Sequence, residues 1–138
     1  MEPIYSSVGR SKQTHHHYLQ LMSDFSRLIL VVDDDIDYSD YLTFILNQEG
    51  YSVKVAQNGL HALEILRSIE PHPDLLILDL YMPMMSGIEF RFEQIEDFRI
   101  SEIPVLFLSE FKILPSERSL LKSSHCTEII NEINNILK

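Results

Sequence analysis

The sequence predicts an α/β domain: a doubly wound, five-stranded parallel sheet with helices on both faces. Three observations carry that expectation. Leu28-Ile29-Leu30-Val31-Val32 and Leu75-Leu76-Ile77-Leu78 are apolar without alternation, the mark of strands buried on both faces. Segments of helical periodicity separate the strand-like runs, and strand–helix alternation is how parallel strands are joined. Gly50, Asn58-Gly59, Pro71, Pro73 and Gly87 stand at the joints, where such residues end or open regular structure.

Residues 1–26 read as an N-terminal extension, flexible or a short helix, ahead of a domain over 27–138. Tyr18, Leu21, Met22 and Phe25 recur at helical spacing there, and His15-His16-His17 reads as a solvated run rather than a metal site. Arg27–Asp33 is the first strand. A helix over Asp37–Gln48 follows, with Tyr41, Leu42, Ile45 and Leu46 on one face, and Glu49-Gly50 closes it. Ser52–Ala56 is a short second strand. Asn58-Gly59 opens a helix with Leu60, Leu63, Ile65, Leu66 and Ile69 on its apolar side, and Pro71-His72-Pro73 stops it. Asp74–Asp79 is the third strand and 81–86 a loop. Ser86-Gly87-Ile88-Glu89 fits a capping box for a helix reaching about Phe98, since Ser and Glu can each satisfy the other's backbone donor. Pro104–Leu108 is the fourth strand. The closing helix, His125–Leu137, turns Ile129, Ile130, Ile133, Ile136 and Leu137 inward.

Composition narrows the function classes. A chain of 138 residues supports one ordinary domain, and its 45% hydrophobic content is that of a globular protein. The net charge of −10 opposes binding to a nucleic-acid backbone, which requires clustered Lys and Arg. No apolar run reaches the roughly 18 residues of a membrane span. Met1-Glu2-Pro3-Ile4 lacks the basic-then-apolar pattern of a secretion signal, and the lone Cys126 excludes an internal disulfide. The expectation is a cytoplasmic chain that binds neither nucleic acid nor membrane.

The chemistry belongs beyond the carboxyl ends of the strands, where strand order reverses. Two strands end in acids there: the first in Asp33-Asp34-Asp35, the third in Asp79. In a flavodoxin-like order, 2-1-3-4-5, those two strands are neighbours. Carboxylates so crowded repel one another unless a cation joins them, and hard oxygen ligands select Mg2+ or Ca2+. The residues themselves therefore point to a divalent-metal site beside an aspartate free to act as a nucleophile.

Two segments, Leu28–Asp35 (LILVVDDD) and Leu75–Gly87 (LLILDLYMPMMSG), resemble the hallmark stretches of the CheY-like receiver domain of response regulators. The resemblance covers about residues 27–109. It implies that Asp79 accepts a phosphoryl group from a sensor histidine kinase or phosphotransfer protein. It also implies that Asp33 and Asp34 position Mg2+, with Asp79 and the Tyr81 backbone carbonyl as further ligands. Ser109 corresponds to the family's switch hydroxyl. Such a domain is not an enzyme in the ordinary sense, catalysing only its own Mg2+-dependent phosphorylation and dephosphorylation. With no second domain encoded, the resemblance implies a stand-alone receiver whose output is contact with a downstream protein or phosphorelay.

The sequence also departs from the family, which ends its fifth strand in lysine followed by proline. No Lys-Pro occurs here; Leu120-Leu121-Lys122-Ser123 occupies the corresponding place, making Lys122 the best candidate and Lys112 a weaker one. With Ser123 in the proline's position, a cis peptide is not expected there. Only twelve residues, Glu110 to Leu121, separate Ser109 from Lys122 and must include a strand. A helix of about 11 residues with two connections does not fit, and Pro115 interrupts the segment. The fourth helix of the family is therefore expected to be missing or very short. Its loss should uncover apolar surface, to be covered by Tyr18–Phe25 or by a second copy in a homodimer. Ser119 stands where the family often has an aromatic switch residue. Tyr81 and Phe111 flank the site and would hinder an attacking water, predicting a long-lived phosphoaspartate.

Two other readings compete. A pseudo-receiver would use the same fold as a phosphorylation-independent binding module. A haloacid-dehalogenase-type phosphatase is suggested by Asp35-Ile36-Asp37, but the later pair of acids it requires is absent after the fourth strand, which ends in Ser109-Glu110.

Overall fold

A computed structural model describes residues 26–111 and 114–138. The chain alternates β1 (Leu28–Val32), α1 (Ile36–Gln48), β2 (Ser52–Ala56), α2 (Gly59–Ser68), β3 (Leu75–Leu78), α3 (Gly87–Glu96), β4 (Val105–Ser109), β5 (Ser119–Leu121) and α4 (Cys126–Leu137). All strands are parallel in the order β2-β1-β3-β4-β5, so the expected sheet and its reversal between β1 and β3 are both present.

Side chains of β1, β3 and β4 alternate between two buried clusters, which is why these strands are apolar throughout. Leu30, Val32, Leu76, Leu78, Val105 and Phe107 pack beneath α2 and α3. Ile29, Val31, Leu75, Ile77, Leu106 and Leu108 pack beneath α1 and α4.

Helix boundaries follow local chemistry. Asp35 caps α1, its carboxylate accepting the Tyr38 N–H at 3.1 Å. Asn58 caps α2 through the His61 N–H. Ser86 and Glu89 complete the expected capping box at α3. The α3 helix stops at Glu96, short of Phe98. Its buried Gln94 turns the chain back towards β4, donating to the Ile100 and Ile103 carbonyls at 3.0 and 2.9 Å.

Some inward faces differ from the periodicity. Leu60 is half exposed, and Gly59 and Ala62 take the core side of α2 beside Leu63 and Leu66. Tyr41 also faces outward, leaving Ser39, Leu42 and Leu46 buried on α1. Small residues sit where a helix lies close to the sheet, so the larger neighbour is displaced to the rim.

As the spacing predicts, no helix lies between β4 and β5 among the described residues, only a turn in which the Glu117 N–H reaches the Leu114 carbonyl at 3.3 Å. The sheet beneath it is nevertheless covered, contrary to the expectation of bare surface. Val105 and Phe107 are buried, with Leu114 packed against their cluster. Ser119 secures that cover: its hydroxyl accepts the Leu114 N–H at 2.8 Å and donates to the Leu114 carbonyl at 3.2 Å. Arg91 on α3 pairs with Glu117 at 3.3 Å. Exposed apolar surface lies instead on α3 itself, at Ile88, Phe92 and Ile95. Tyr18–Phe25, His15-His16-His17 and Lys112 lie outside the described residues.

Candidate functional site

The carboxyl ends of β1, β3, β4 and β5 place Asp33, Asp79, Ser109 and Lys122 at one edge. Parallel register produces this convergence: Val32 pairs with Leu78, and Ser109 with Leu121. Val32 and Leu78 are level with Phe107 and Ser119, so Asp33 and Asp79 emerge side by side, with Ser109 one residue and Lys122 two residues further along. Asp33 and Asp79 are buried, and Asp34 is exposed.

Lys122 reaches into this cluster. Its Nζ lies 2.7 Å from Asp33 Oδ2 and 3.4 Å from Asp79 Oδ2. The Lys122 N–H donates to the Ser109 carbonyl at 2.8 Å, continuing the sheet one residue past β5. Asp33 Oδ1 accepts the Asp35 N–H at 2.9 Å, and Asp79 Oδ1 the Tyr81 N–H at 3.4 Å. Ser109 is wholly buried, and its hydroxyl accepts the Phe111 N–H at 3.4 Å.

Burial, and then the negative charge of Asp33, push the Asp79 carboxyl up to about 6, with Lys122 pulling the other way. Burial alone would depress the Lys122 ammonium, but its hydrogen bond to Asp33 and the charges of Asp33 and Asp79 outweigh that and hold it above the ordinary lysine value. Asp79 is thus the destabilised anion of the cluster.

The acids suit a hard divalent cation. One oxygen from each of Asp33, Asp34 and Asp79 lies within 4.8 Å of the others, with an exposed side at Asp34. Asp35 and Asp37 serve otherwise, as the cap and first-turn acid of α1. That use removes the Asp-x-Asp reading of a phosphatase.

Gly87 lets α3 approach Asp79. A Cβ there would stand 2.2 Å from the Asp79 carbonyl oxygen, and the Gly87 N–H donates to the Leu80 carbonyl at 3.0 Å. Tyr81 and Phe111 are 60% and 83% exposed.

Sequence reasoning missed Tyr38. Its ring lies under the Lys122 ammonium, 4.8 Å from Nζ to the centroid, and its hydroxyl donates to the Lys122 carbonyl at 3.3 Å. The available signal was its place in α1, three residues after the Asp35 cap, on the turn that faces the site.

A parallel 2-1-3-4-5 sheet with buried acids beyond β1 and β3, reached by a lysine from the end of β5, has the arrangement of a receiver-type signalling domain. The chain belongs to the response regulator receiver domain family, which matches residues 29–127. Receiver domains are signalling modules of two-component systems rather than ordinary enzymes, and they bind Mg2+ through an acidic pocket. Among curated relatives, transcriptional regulatory protein ZraR of Klebsiella oxytoca is 39% identical over 106 residues, which are 77% of this chain and 23% of that protein. The CpxR homologue of Haemophilus influenzae is 38% identical over 81 residues, 59% of this chain and 33% of that protein. The chain thus spans a third or less of the length of these two relatives. Among solved structures, the TrrA response regulator of Thermotoga maritima, in complex with Mg2+ and beryllofluoride, is 29% identical with a TM-score of 0.72, covering 80% of this chain and 99% of that one. Chemotaxis protein CheY4 of Vibrio cholerae shares the fold at 24% identity and a TM-score of 0.73, over 81% and 99% of the two chains. No helix among the described residues is long and apolar enough to cross a membrane.

Proposed function

We propose that this chain is a cytoplasmic stand-alone receiver that takes a phosphoryl group on Asp79 from a sensor histidine kinase or phosphotransfer protein. The domain extends over 27–138, with 1–26 as an extension. The observation that carries the proposal is the buried triad in which Lys122 bridges Asp33 and Asp79. A structural ion pair would be complete with one acid. The second acid raises the energy of the Asp79 anion and leaves it poised to react.

Asp79 supplies an oxygen lone pair to the phosphorus as the P–N bond of a phosphohistidine breaks, its electron pair returning to the imidazole. Lys122 offsets the charge that gathers as two anions meet. Ser109 donates its hydroxyl to a phosphoryl oxygen once the group is attached. Asp33, Asp34, Asp79 and the Tyr81 carbonyl hold Mg2+, which when bound neutralises phosphoryl oxygens.

Output passes to a downstream protein or by phosphorelay. The names of ZraR and the CpxR homologue denote transcriptional regulation. This acidic stretch is read as the input part of such a system, binding no nucleic acid itself. A phosphorylation-independent binding module is the second reading, favoured by Ser123 in place of proline and by the missing helix. Incubation with acetyl phosphate and Mg2+, followed by intact mass, separates the two. The expected result is one added phosphate that disappears in Asp79→Asn and on removal of Mg2+. An unchanged wild-type mass would leave the binding module standing.

A further inference from the structure

Lysine is a flexible side chain, and a useful ammonium beside two acids has to be held in place. Lys122 is followed by Ser123, so the proline of the family pattern is not there to order its backbone. The structure supplies a different support. Tyr38 touches Lys122 at both ends: its ring lies 4.8 Å from Nζ, within cation–π range, and its hydroxyl reaches the backbone carbonyl at 3.3 Å.

Tyr38 is itself well anchored. The Asp35 cap accepts its N–H at 3.1 Å, fixing the first turn of α1 under it. The Tyr41 ring packs beside it, centroids 5.8 Å apart and planes at 45°. Its half-buried side chain also packs against the cluster that includes Leu42 and Ile129. Burial foremost, then Tyr41, Asp33 and Asp79, hold its phenol well above the ordinary tyrosine value, so it remains a neutral donor.

We propose that Tyr38 is the positioning residue for Lys122, holding the ammonium against Asp33 and Asp79 from the α1 side in place of the missing proline. The inference rests on the reading of Asp79 as acceptor. The two contacts are unequal. The hydroxyl bond at 3.3 Å is longer than the usual O–H···O range of about 2.5–3.0 Å, so the ring carries more of the effect.

The test uses the full chain with 13C at the lysine ε-carbons, compared with Tyr38→Phe and Tyr38→Leu. In the wild type the Lys122 ε-methylene signal, assigned by its loss in Lys122→Arg, is displaced upfield by the ring. It stays displaced in Tyr38→Phe and returns to the ordinary lysine position in Tyr38→Leu. Phosphorylation by acetyl phosphate at saturating Mg2+ slows about ten-fold in Tyr38→Leu, the rate equivalent of one desolvated cation–π contact. Tyr38→Phe recovers most of that rate. An undisplaced Lys122 signal in the wild type overturns the assignment, and neither Tyr38 variant has to fold for it to be read. So does a Tyr38→Leu chain that phosphorylates at full rate, or an equal loss in both variants. If the wild type takes up no phosphate, the acceptor reading fails by itself, while the lysine signal still decides whether Tyr38 holds Lys122.

Discussion

At the scale of single residues, Asp79 is where stability and chemistry oppose each other. Its carboxyl is pushed up to about 6 by burial and by Asp33, so the folded state favours the protonated form. That contribution is complete below the unfolded value, about pH 4, and is lost as pH rises through about 6. In Mg2+-free buffer the wild type should therefore lose stability between about pH 4 and pH 6.5. Asp79→Asn, which places no charge beside Asp33, should lose that slope and be more stable by roughly 1–3 kcal/mol at the higher pH. Thermal melts across this range provide the check, and parallel curves for the two proteins would refute the assignment of strain to Asp79. Adding Mg2+ should narrow the gap by stabilising the wild type alone.

At the scale of elements, the seat of α3 on the end of β3 is the tightest constraint near the site. Gly87 allows it, because a Cβ would meet the Asp79 carbonyl at 2.2 Å. Gly87→Ala should cost roughly 1–3 kcal/mol by urea unfolding, in the range of an overpacked core position. On the proposed role of Asp79 it should also slow phosphorylation, since relief of the clash moves either α3 or the Asp79 backbone. A variant with unchanged stability and unchanged rate would show that α3 is not so closely seated. The β4–β5 connection follows another logic. A full helix is replaced by a turn whose Leu114 packs against the cluster containing Val105 and Phe107 and is fastened by Ser119. The serine that stands in the usual place of an aromatic switch thus secures the segment that replaces the helix.

At the scale of the whole molecule, one stripe of exposed apolar residues runs along α3. Ile88, Phe92 and Ile95 follow one another at helical spacing, and Phe92 is 66% exposed. Glu89, Glu93 and Glu96 on the same helix are exposed beside them. Two copies meeting there would bring like charges together, so a homodimer through this stripe should strengthen with salt as the repulsion is screened. Light scattering at low and high salt should show mass rising with salt in the wild type and Phe92→Glu remaining monomeric. A monomer at both salts would assign the stripe to a different protein.

The sequence by itself determined the fold class, the strand order and the pair of segments that bring the acids together. Unbroken apolar strands demand cover on both faces, and the βα rhythm leaves few ways to provide it. It also determined that a helix was missing, because twelve residues cannot hold a helix, a strand and two connections. Capping residues such as Asp35, Asn58 and Ser86 were legible for the same reason: their chemistry acts within one turn. Only the tertiary structure decided that Lys122 reaches both acids, that Tyr38 lies beneath it, and that Leu114 covers the sheet. Each of these joins residues far apart in the chain, through side-chain directions that periodicity does not specify. Leu60 and Tyr41 illustrate the same limit: spacing assigns a residue to a face, but the closeness of helix to sheet decides which side chain on that face fits beneath.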